Sequence, residues 1–460
     1  MSLGSAMHQM LAKPQGPAGR SGDARGEAER EPGSGEARPA RHEQTDSGAG
    51  ELLGQALARE NMAAAWKRVK ANKGAPGVDG RTVQETGEHL KTAWPALREQ
   101  LLNGSYRPAP VRRVGIPKPG GGTRELGIPT AVDRLIQQAL LQILQPMLDP
   151  NFSEHSHGFR PGRSAHGAVL QAQHYVRQGY KTVVDVDLET FFDRVNHDIL
   201  MERLAKRVTD KAVLRLIRRY LQAGHMHHGV VSPGREGTPQ GGPLSPLLAN
   251  VLLDEVDREL ERRGHRFVRY ADDCNVYVKS QKAGERVLQA LRGCYARLAL
   301  KVNDSKTAVA DVWGRKFLGY RLLCTRQGEV KLGLAPTTVV RLKHRIRELT
   351  RVTVGRSLNQ VSEDLRRYVP GWKAYYRLVQ TPTTLKRLDQ WLRYRLRVLQ
   401  LRHWRQGPTI YRQMCKLGAS QALASRTAAR TQGWWQTGRQ GLNRVLTIAY
   451  FDQLGVPKFS

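Results

Sequence analysis

Acidic side chains stand at two places where a predicted strand ends. The β-branched run over residues 182–188 predicts a buried strand that carries Asp187 near its end. Farther along, a tight corner between two predicted strands holds Asp272 and Asp273. If these strands are neighbours, their tips bring the carboxylates together, where burial is costly unless cations neutralise them. The chemistry indicated is phosphoryl transfer, with two Mg²⁺ ions clamping the attacking and leaving oxygens.

An Asp-Asp pair alone is weak evidence for such a site, because many turns contain one. Three further segments strengthen the prediction. Lys118 and Arg124 flank a glycine turn, a natural hairpin to close over a triphosphate. The glycine- and proline-rich segment 237–246 leads into a helix, and its backbone can approach a nucleotide closely. Gly319 and Tyr320 follow the last predicted strands, where they could support the end of a primer.

The elements that must position these residues alternate between strand and helix. Order is expected to begin near Glu51, where apolar residues recur at helical spacing. Beyond the strand over 182–188, the patterns predict a helix, two strands, and a further helix over 244–263, 266–270, 275–279 and 284–298. This order predicts an α+β fold with an antiparallel sheet backed by helices.

The charge of the chain indicates a polyanionic partner. Lys and Arg number 74 against 41 Asp and Glu, a formal net charge of +33. A phosphate backbone is the commonest large polyanion in a cell, and binding to it should weaken steeply as salt rises. Beyond Leu334 the chain becomes helical, with arginines between tryptophans and tyrosines. Those rings could stack on bases or form a helical core, and Trp372 and Trp391 are expected in the core.

The N-terminal segment, the cysteines and the apolar runs indicate the kind of compartment in which the protein works. Residues 1–50 are rich in small and charged residues, which predicts a disordered basic tail. The four cysteines form no CxxC pair, so neither a zinc site nor a disulfide framework is indicated. No apolar run has the length of a membrane span. We therefore expect a soluble protein of the reducing cytosol, without a membrane partner.

Six segments together make the sequence recognisable. It resembles the reverse transcriptase/maturase encoded by bacterial group II introns, from about Glu51 to Ser460, in the family's order and spacing. The segments are 74–80, 118–124, 158–164, 187–197, the stretch around Gln240, and 270–273. One of these segments alone would be weak support, but a chance match to all six is negligible.

The resemblance implies a right-hand polymerase fold of fingers, palm and thumb, acting as an RNA-directed DNA polymerase with two Mg²⁺ ions and dNTP substrates. Asp187, Asp272 and Asp273 match the metal ligands, together with the backbone carbonyl of Leu188. Phe192 matches the bulky residue beneath the sugar that disfavours a 2′ hydroxyl, so the product should be DNA.

Further roles follow from the same resemblance. Lys118 and Arg124 match triphosphate contacts, and Gln240 matches a residue near the incoming nucleotide. Lys306 matches a lysine that serves the leaving pyrophosphate. Contacts with primer, template or intron RNA are implied for Arg160, Arg163, Gly319, Tyr320, Trp372, Tyr375 and Tyr376.

The resemblance also implies a domain order. After the tail come an N-terminal extension with the start of the fingers (51–110), the fingers and palm (111–330), the thumb or maturase domain (331–418) and a short DNA-binding-like segment (419–460). The chain has neither the cysteine pairs nor the length for a zinc-binding HNH endonuclease. It is therefore most similar to the compact class C members, although its N-terminal tail departs from their pattern.

The implied function is to copy intron RNA into DNA during retrohoming and to assist splicing, with intron RNA, target DNA and a primer strand as partners. Two alternatives remain at this stage. A host-adopted, stand-alone reverse transcriptase would keep the same site, and the DNA flanking the gene would reveal it. A splicing-only maturase would not need the carboxylates, and all of them are present. The sequence makes no prediction of oligomeric state.

Overall fold

The computed structural model describes residues 50–117, 122–227, 229–351, 355–429 and 442–460. The described chain forms two compact units. The first contains the residues up to 164 with 185–275 and 286–307, and the second contains 165–184, 276–285 and 308–460. Residues 1–49, which make up nearly all of the predicted tail, lie outside the described residues.

The helices follow the apolar periodicity of the sequence. They are α1 (Glu51–Ala56), α2 (Arg59–Ala71), α3 (Val83–Leu102), α4 (Ala131–Leu148), α5 (Ala165–Arg177), α6 (His197–Ala205), α7 (Lys211–Gln222), α8 (Ser245–Arg262), α9 (Gln281–Arg297), α10 (Pro336–Leu349), α11 (Leu358–Tyr375), α12 (Pro382–Trp404), α13 (Gly407–Lys416), α14 (Gln421–Ala429) and α15 (Ile448–Gln453). Within the described ranges, none of these helices is long and apolar enough to cross a membrane.

The strands form three sheets. They are β1 (Val111–Pro117), β2 (Thr123–Ile128), β3 (Thr182–Val186), β4 (His225–His227), β5 (Val230–Ser232), β6 (Arg266–Tyr270), β7 (Asp273–Val278), β8 (Ala308–Asp311), β9 (Lys316–Phe317), β10 (Tyr320–Cys324) and β11 (Val330–Leu334). The strand orders are β2-β1-β4-β5, β6-β7-β3-β8 and β11-β10-β9. The α+β class predicted from the sequence is confirmed.

The predicted hairpin around the glycine turn is formed by β1 and β2. The two strands are antiparallel, with Pro117 opposite Thr123 and Ile116 opposite Arg124. The turn itself, including Lys118, lies outside the described residues. The hairpin therefore places Arg124 next to the turn. The predicted triphosphate contact of Lys118 stays a prediction.

The acidic segments occupy the sheet of order β6-β7-β3-β8. The predicted strand over 182–188 ends earlier, at Val186, so Asp187 is the first residue after β3. Leu188 instead makes an isolated antiparallel bridge with Val302. A short 3-10 helix follows at Phe191–Asp193. Its successor α6 begins where the Asn196 side chain accepts hydrogen bonds from the first-turn amides.

In the second unit, one apolar core joins helices α10 to α14 with the C-terminal residues. Leu342, Leu365, Leu392 and Met414 belong to it, and so does Phe459, only 1% exposed. The amides of the last two residues also donate to the buried carboxylate of Asp389, at 2.7 and 3.1 Å. The boundary predicted at residue 418 therefore does not separate two cores, because residues 442–460 pack into the same one.

Candidate active site

Two carboxylates lie near each other at one edge of the sheet of order β6-β7-β3-β8. Asp187 follows β3 directly, and Asp272 lies in the corner between β6 and β7, the strand beside β3. Burial raises the pKa of Asp272, the nearby negative charge of Asp187 raises it further, and Arg124 opposes the shift. A carboxylate disfavoured by burial and by a like charge is one that a bound cation stabilises. The sequence prediction that these two residues converge is correct.

The backbone of Asp187 is held by the segment before β8. The Asn303 amide donates to the Asp187 carbonyl at 2.8 Å, and the Asp187 amide donates to Thr307 Oγ1 at 3.2 Å. Lys306 Nζ lies 3.4 Å from Asp187 Oδ1, which makes it a cation at the carboxylate itself. Sequence reasoning found Lys306 but missed Asn303 and Thr307. The polar run over residues 303–307, just before β8, was the available signal.

The carbonyl of Leu188 is left out of the neighbouring bridge. That bridge uses the carbonyl of Asp187 and the amide of Glu189, which donates to Lys301 at 2.9 Å. The Leu188 carbonyl is therefore compatible with its predicted place among the metal ligands.

The remaining acidic residues differ in exposure and partners. Asp273 opens β7 and is exposed, whereas Asp272 is half-buried. Asp185, inside β3, accepts a hydrogen bond at 3.1 Å from the side-chain nitrogen of Asn275, in the amide orientation that gives both the nitrogen and the oxygen a partner. Over the described ranges, no three His, Cys, Asp or Glu side chains converge as a preformed ligand set. Oxygen donors of this kind nonetheless suit Mg²⁺, which keeps waters and substrate phosphates as ligands and seldom uses an all-protein cage.

Two residues predicted separately to contact the nucleotide are joined to each other. Arg124 Nε donates to Gln240 Oε1 at 2.7 Å, and the Gly127 amide of β2 donates to the Gln240 carbonyl at 3.0 Å. The charge of Arg124 also acts on Asp272. Arg124 is thus a cation that faces both the carboxylates and the segment before α8.

The glycines of that segment are required by the protein's own packing. Gly241 has φ 139°, and a Cβ there would lie 2.3 Å from the Gly127 carbonyl oxygen. Gly237 has φ 90°, and a Cβ there would lie 2.9 Å from the Asp193 carbonyl oxygen. The sequence interpretation assigned these glycines to approach of a nucleotide. The structure adds that a side chain at either position would push the segment off its neighbours.

Phe192 is held from several sides. Its ring is 8% exposed, and its centroid lies 5.0 Å from that of Phe191 and 6.4 Å from that of Phe159, in edge-to-face geometry with both. Its carbonyl accepts from the Thr238 amide at 2.7 Å. These contacts hold the ring in one position, which its predicted role as a steric filter would require.

His197 ties α6 to the same glycine segment, with Nε2 2.8 Å from the Gly237 carbonyl. Burial lowers the pKa of His197 below its usual value. The unfolded chain therefore binds more protons below about pH 6.5, and stability is lost as the pH falls through that range. We expect His197→Gln, which keeps a donor, to flatten the fall in melting temperature between pH 7.5 and 5.5. An equally steep fall in wild type and in His197→Gln would contradict the assignment.

Arg160 has an internal role, which corrects the expectation of an RNA contact. It is 8% exposed, its Nε donates to Asp149 at 2.9 Å, and its Nη1 donates to the carbonyls of Ser153 and Ser156. These bonds use the guanidinium to hold its own loop. Arg163 is partly exposed and donates to the Glu154 carbonyl at 2.6 Å, so it stays a candidate for RNA contact.

The aromatic residues predicted to contact primer or RNA form one cluster in the second unit. Tyr320 is 1% exposed and donates to the Tyr375 carbonyl, so its predicted nucleic-acid contact is corrected to a place in the core. Tyr376 stacks on Trp372, with centroids 4.7 Å apart. Gly319 has φ 83°, and a Cβ there would lie 2.6 Å from the Tyr376 hydroxyl. Trp372, Tyr375 and Tyr376 are partly exposed and keep their predicted role as proposals.

Sequence reasoning assigned Trp391 to the core, but its half-buried ring also gathers cations. Lys343 and Arg347 of α10 lie 5.5 and 5.8 Å from the ring centroid, and Arg395 of α12 lies 5.7 Å away. Burial lowers the pKa of Arg395, and the positive charges of Arg347 and Arg402 lower it further. Cations that repel one another in this way favour an anionic partner. We call Lys343, Arg347, Trp391 and Arg395 the tryptophan cation cluster.

Comparison with known families defines the class of protein. Residues 116–322 match the family described as reverse transcriptase (RNA-dependent DNA polymerase), and residues 339–418 match the group II intron maturase-specific domain. The chain is 34% identical to protein YkfC of Escherichia coli over 317 residues, covering 59% of this chain and 83% of that protein. The chain belongs to the family of group II intron reverse transcriptase/maturases, and it is an RNA-directed DNA polymerase.

Other relatives agree with this assignment. The chain is 28% identical to the group II intron-encoded protein LtrA of Lactococcus lactis over 337 residues, which is 58% of this chain and 55% of LtrA. It is 32% identical to the putative COX1/OXI3 intron 1 protein of Saccharomyces cerevisiae, over 57% of this chain and 38% of that protein. The chain thus spans about half of LtrA and less of the yeast protein. The reverse transcriptase domain implies use of a divalent metal, and the maturase domain implies binding of intron RNA.

Proposed function

We propose that Asp187, Asp272 and Asp273, with the carbonyl of Leu188, bind two Mg²⁺ ions and that the site extends a DNA primer on intron RNA. The carrying observation is that Asp187 and Asp272 meet at one sheet edge, with Arg124 acting on the same carboxylate. When bound, the ions would supply charge neutralisation at the attacking and leaving oxygens.

The nucleotide is positioned by residues around the carboxylates. Arg124, held by Gln240, is placed for the triphosphate, and Lys118 on the same hairpin is proposed for the same task. The ring of Phe192 excludes a 2′ hydroxyl, so dNTPs are the substrates. Lys306, 3.4 Å from Asp187, is placed to attract the leaving pyrophosphate.

The test is extension of an oligo(dT) primer on poly(rA) with dTTP, with Mg²⁺ and with Mg²⁺ replaced by excess EDTA. Extension that requires Mg²⁺ supports the proposal. Absence of extension, even when the cognate intron RNA is supplied, would overturn it and favour a splicing-only maturase.

The second unit is proposed to bind intron RNA and assist splicing, and the whole protein to copy the intron into target DNA during retrohoming. The tryptophan cation cluster supports this, because stacked cations suit a phosphate backbone. The predicted domain order, the similarity to class C members and a DNA-binding role near residues 419–460 are proposals of the same kind. Since its relatives include bacterial intron-encoded proteins and its substrates are nucleic acids, we place its activity in the cytoplasm, at the nucleoid when on DNA.

Arg347→Gln is expected to weaken intron RNA binding and to lower the slope of log affinity against log salt by about one, since one phosphate contact is lost. A charge-matched control is Arg367→Gln on α11, where Arg367 pairs with Glu363. It should leave the slope unchanged. Filter binding between 50 and 300 mM KCl measures the slope for both variants. Equal slopes would mean that the tryptophan cation cluster contributes no more to RNA binding than any other surface cation.

A host-adopted reverse transcriptase is the second candidate function. The observation that favours it is that protein YkfC, which this chain covers over 83% of its length, has a name that mentions no intron. Sequencing the DNA around the gene separates the two, because an intron-encoded protein lies inside its own intron RNA.

A further inference from the structure

The corner that carries Asp272 contains a residue in an unfavourable backbone conformation. Ala271 has φ 58°, in the left-handed region that residues with a Cβ rarely adopt. The corner also lacks room on one side, since a Cβ on Gly158 would lie 2.2 Å from the Ala271 nitrogen. A conformation of this kind persists only where surrounding contacts determine it.

A buried arginine supplies such contacts. Arg269, in β6, is 0% exposed, and its Nη1 donates to the Ala271 carbonyl at 2.9 Å. The rest of its guanidinium forms a fork on Asp257 of α8, with Nε 2.8 Å from Oδ1 and Nη2 2.5 Å from Oδ2. Asp257 is itself 0% exposed, so this ion pair is shielded from water and salt.

Asn250, seven residues before Asp257 on α8, joins both sides of the corner. Its Oδ1 accepts from Arg269 Nη1 at 2.9 Å, and its Nδ2 donates to the Gly158 carbonyl at 3.0 Å. The backbone adds two more bonds, from the His157 amide to the Arg269 carbonyl at 2.8 Å and from the Arg269 amide to the His155 carbonyl at 2.9 Å. The corner is thus clamped between α8 and the loop at residues 155–158.

We infer that Arg269, Asp257 and Asn250 are positioning residues that hold Ala271 left-handed, so that the Asp272 carboxylate is aimed at the metal. This inference rests on the proposed function, in which Asp272 is a metal ligand. Removal of side chains that orient a metal ligand typically lowers metal affinity or activity 10–100-fold. None of the three residues touches nucleotide or metal in this account, because their action passes through the Ala271 carbonyl and the Gly158 loop.

Arg269→Lys is the main test, since it keeps the charge opposite Asp257 but loses the fork and the bond to Ala271. Mn²⁺, an oxygen-seeking ion of the same charge as Mg²⁺, is titrated and followed by electron paramagnetic resonance. Primer extension supplies kcat and KM for dTTP. We expect about 10–100-fold weaker Mn²⁺ binding and a matching fall in kcat, with a small change in KM.

The matched control is Arg207→Lys. Arg207 pairs at 2.6 Å with Asp254, a buried carboxylate on α8, and among the described residues it makes no hydrogen bond or ion pair to the corner. Equal Mn²⁺ affinity in wild type and both variants would overturn the inference, even if Arg269→Lys melts at a lower temperature. If Arg269→Lys does not fold, Asn250→Ala decides, because it leaves the Arg269–Asp257 pair in place.

One further variant, Asp272→Asn, separates this inference from the proposed function. Wild type that binds no Mn²⁺ at the site, measured as no difference from Asp272→Asn, would overturn both. Wild type that binds Mn²⁺, with Asp272→Asn impaired and Arg269→Lys unaffected, would overturn only the positioning role.

Discussion

Asp272→Asn is expected to abolish primer extension, lowering kcat on the order of 10³-fold or more, while leaving the fold and intron RNA binding intact. The physical reason is that the amide keeps the size of the side chain but removes the charge that a metal ion needs. It also removes the repulsion between Asp272 and Asp187, so the melting temperature should not fall. Extension of labelled primer and a thermal melt measure the two effects.

The control is Asp304→Asn, which removes a carboxylate between Asn303 and Thr307, the two residues that bond the backbone of Asp187. Asp304 is exposed and pairs with Arg292 at 2.6 Å. This variant should extend primers at the wild-type rate.

Splicing assays with the cognate intron test whether the two activities are separable. We expect Asp272→Asn to retain splicing while DNA synthesis is lost. Full activity of Asp272→Asn in both assays would sink the proposal that this carboxylate binds a catalytic metal.

Phe192→Val is expected to raise the incorporation of ribonucleotides relative to deoxyribonucleotides by about 10–100-fold. The shorter side chain removes the wall that the ring forms against Phe159 and Phe191 and so admits a 2′ hydroxyl. Single-nucleotide extension with dTTP and UTP gives the ratio of kcat/KM for the two substrates.

Phe192→Tyr serves as the control because it keeps the ring in place. Its selectivity for dTTP should stay close to that of the wild type. If Phe192→Val extends primers but keeps the wild-type selectivity, the sugar is discriminated elsewhere and the assignment of Phe192 is wrong.

The sequence predicted the parts of the site that depend on local pattern. A β-branched run and a polar corner were enough to place Asp187 and Asp272 at strand ends, because strand and turn propensities act over a few residues. The hairpin that carries Arg124 was predicted for the same reason. The family resemblance then supplied roles for residues such as Phe192 and Lys306, and the family itself is confirmed.

What the sequence could not show depends on distant contacts. Arg160 belongs to a segment typical of the family and carries a charge, so an RNA contact was a reasonable prediction. The structure instead turns its guanidinium onto Asp149 and two carbonyls of its own loop. Tyr320 was mispredicted for a similar reason, since its burial depends on Tyr375 and Tyr376, more than fifty residues away. Side-chain direction is a tertiary property, and no local pattern encodes it.

Thr307 and Asn303, which fasten the backbone of Asp187, have a consequence for the order of protein synthesis. The chain emerges from the ribosome with Asp187 first and Asp272 later, and both precede the residues that fasten Asp187. A product terminated shortly after Asp273 carries every predicted metal ligand but lacks the fastening of Asp187. We therefore expect DNA synthesis only from chains that extend past residue 307, and no polymerase activity from a chain that ends between Asp273 and Asn303.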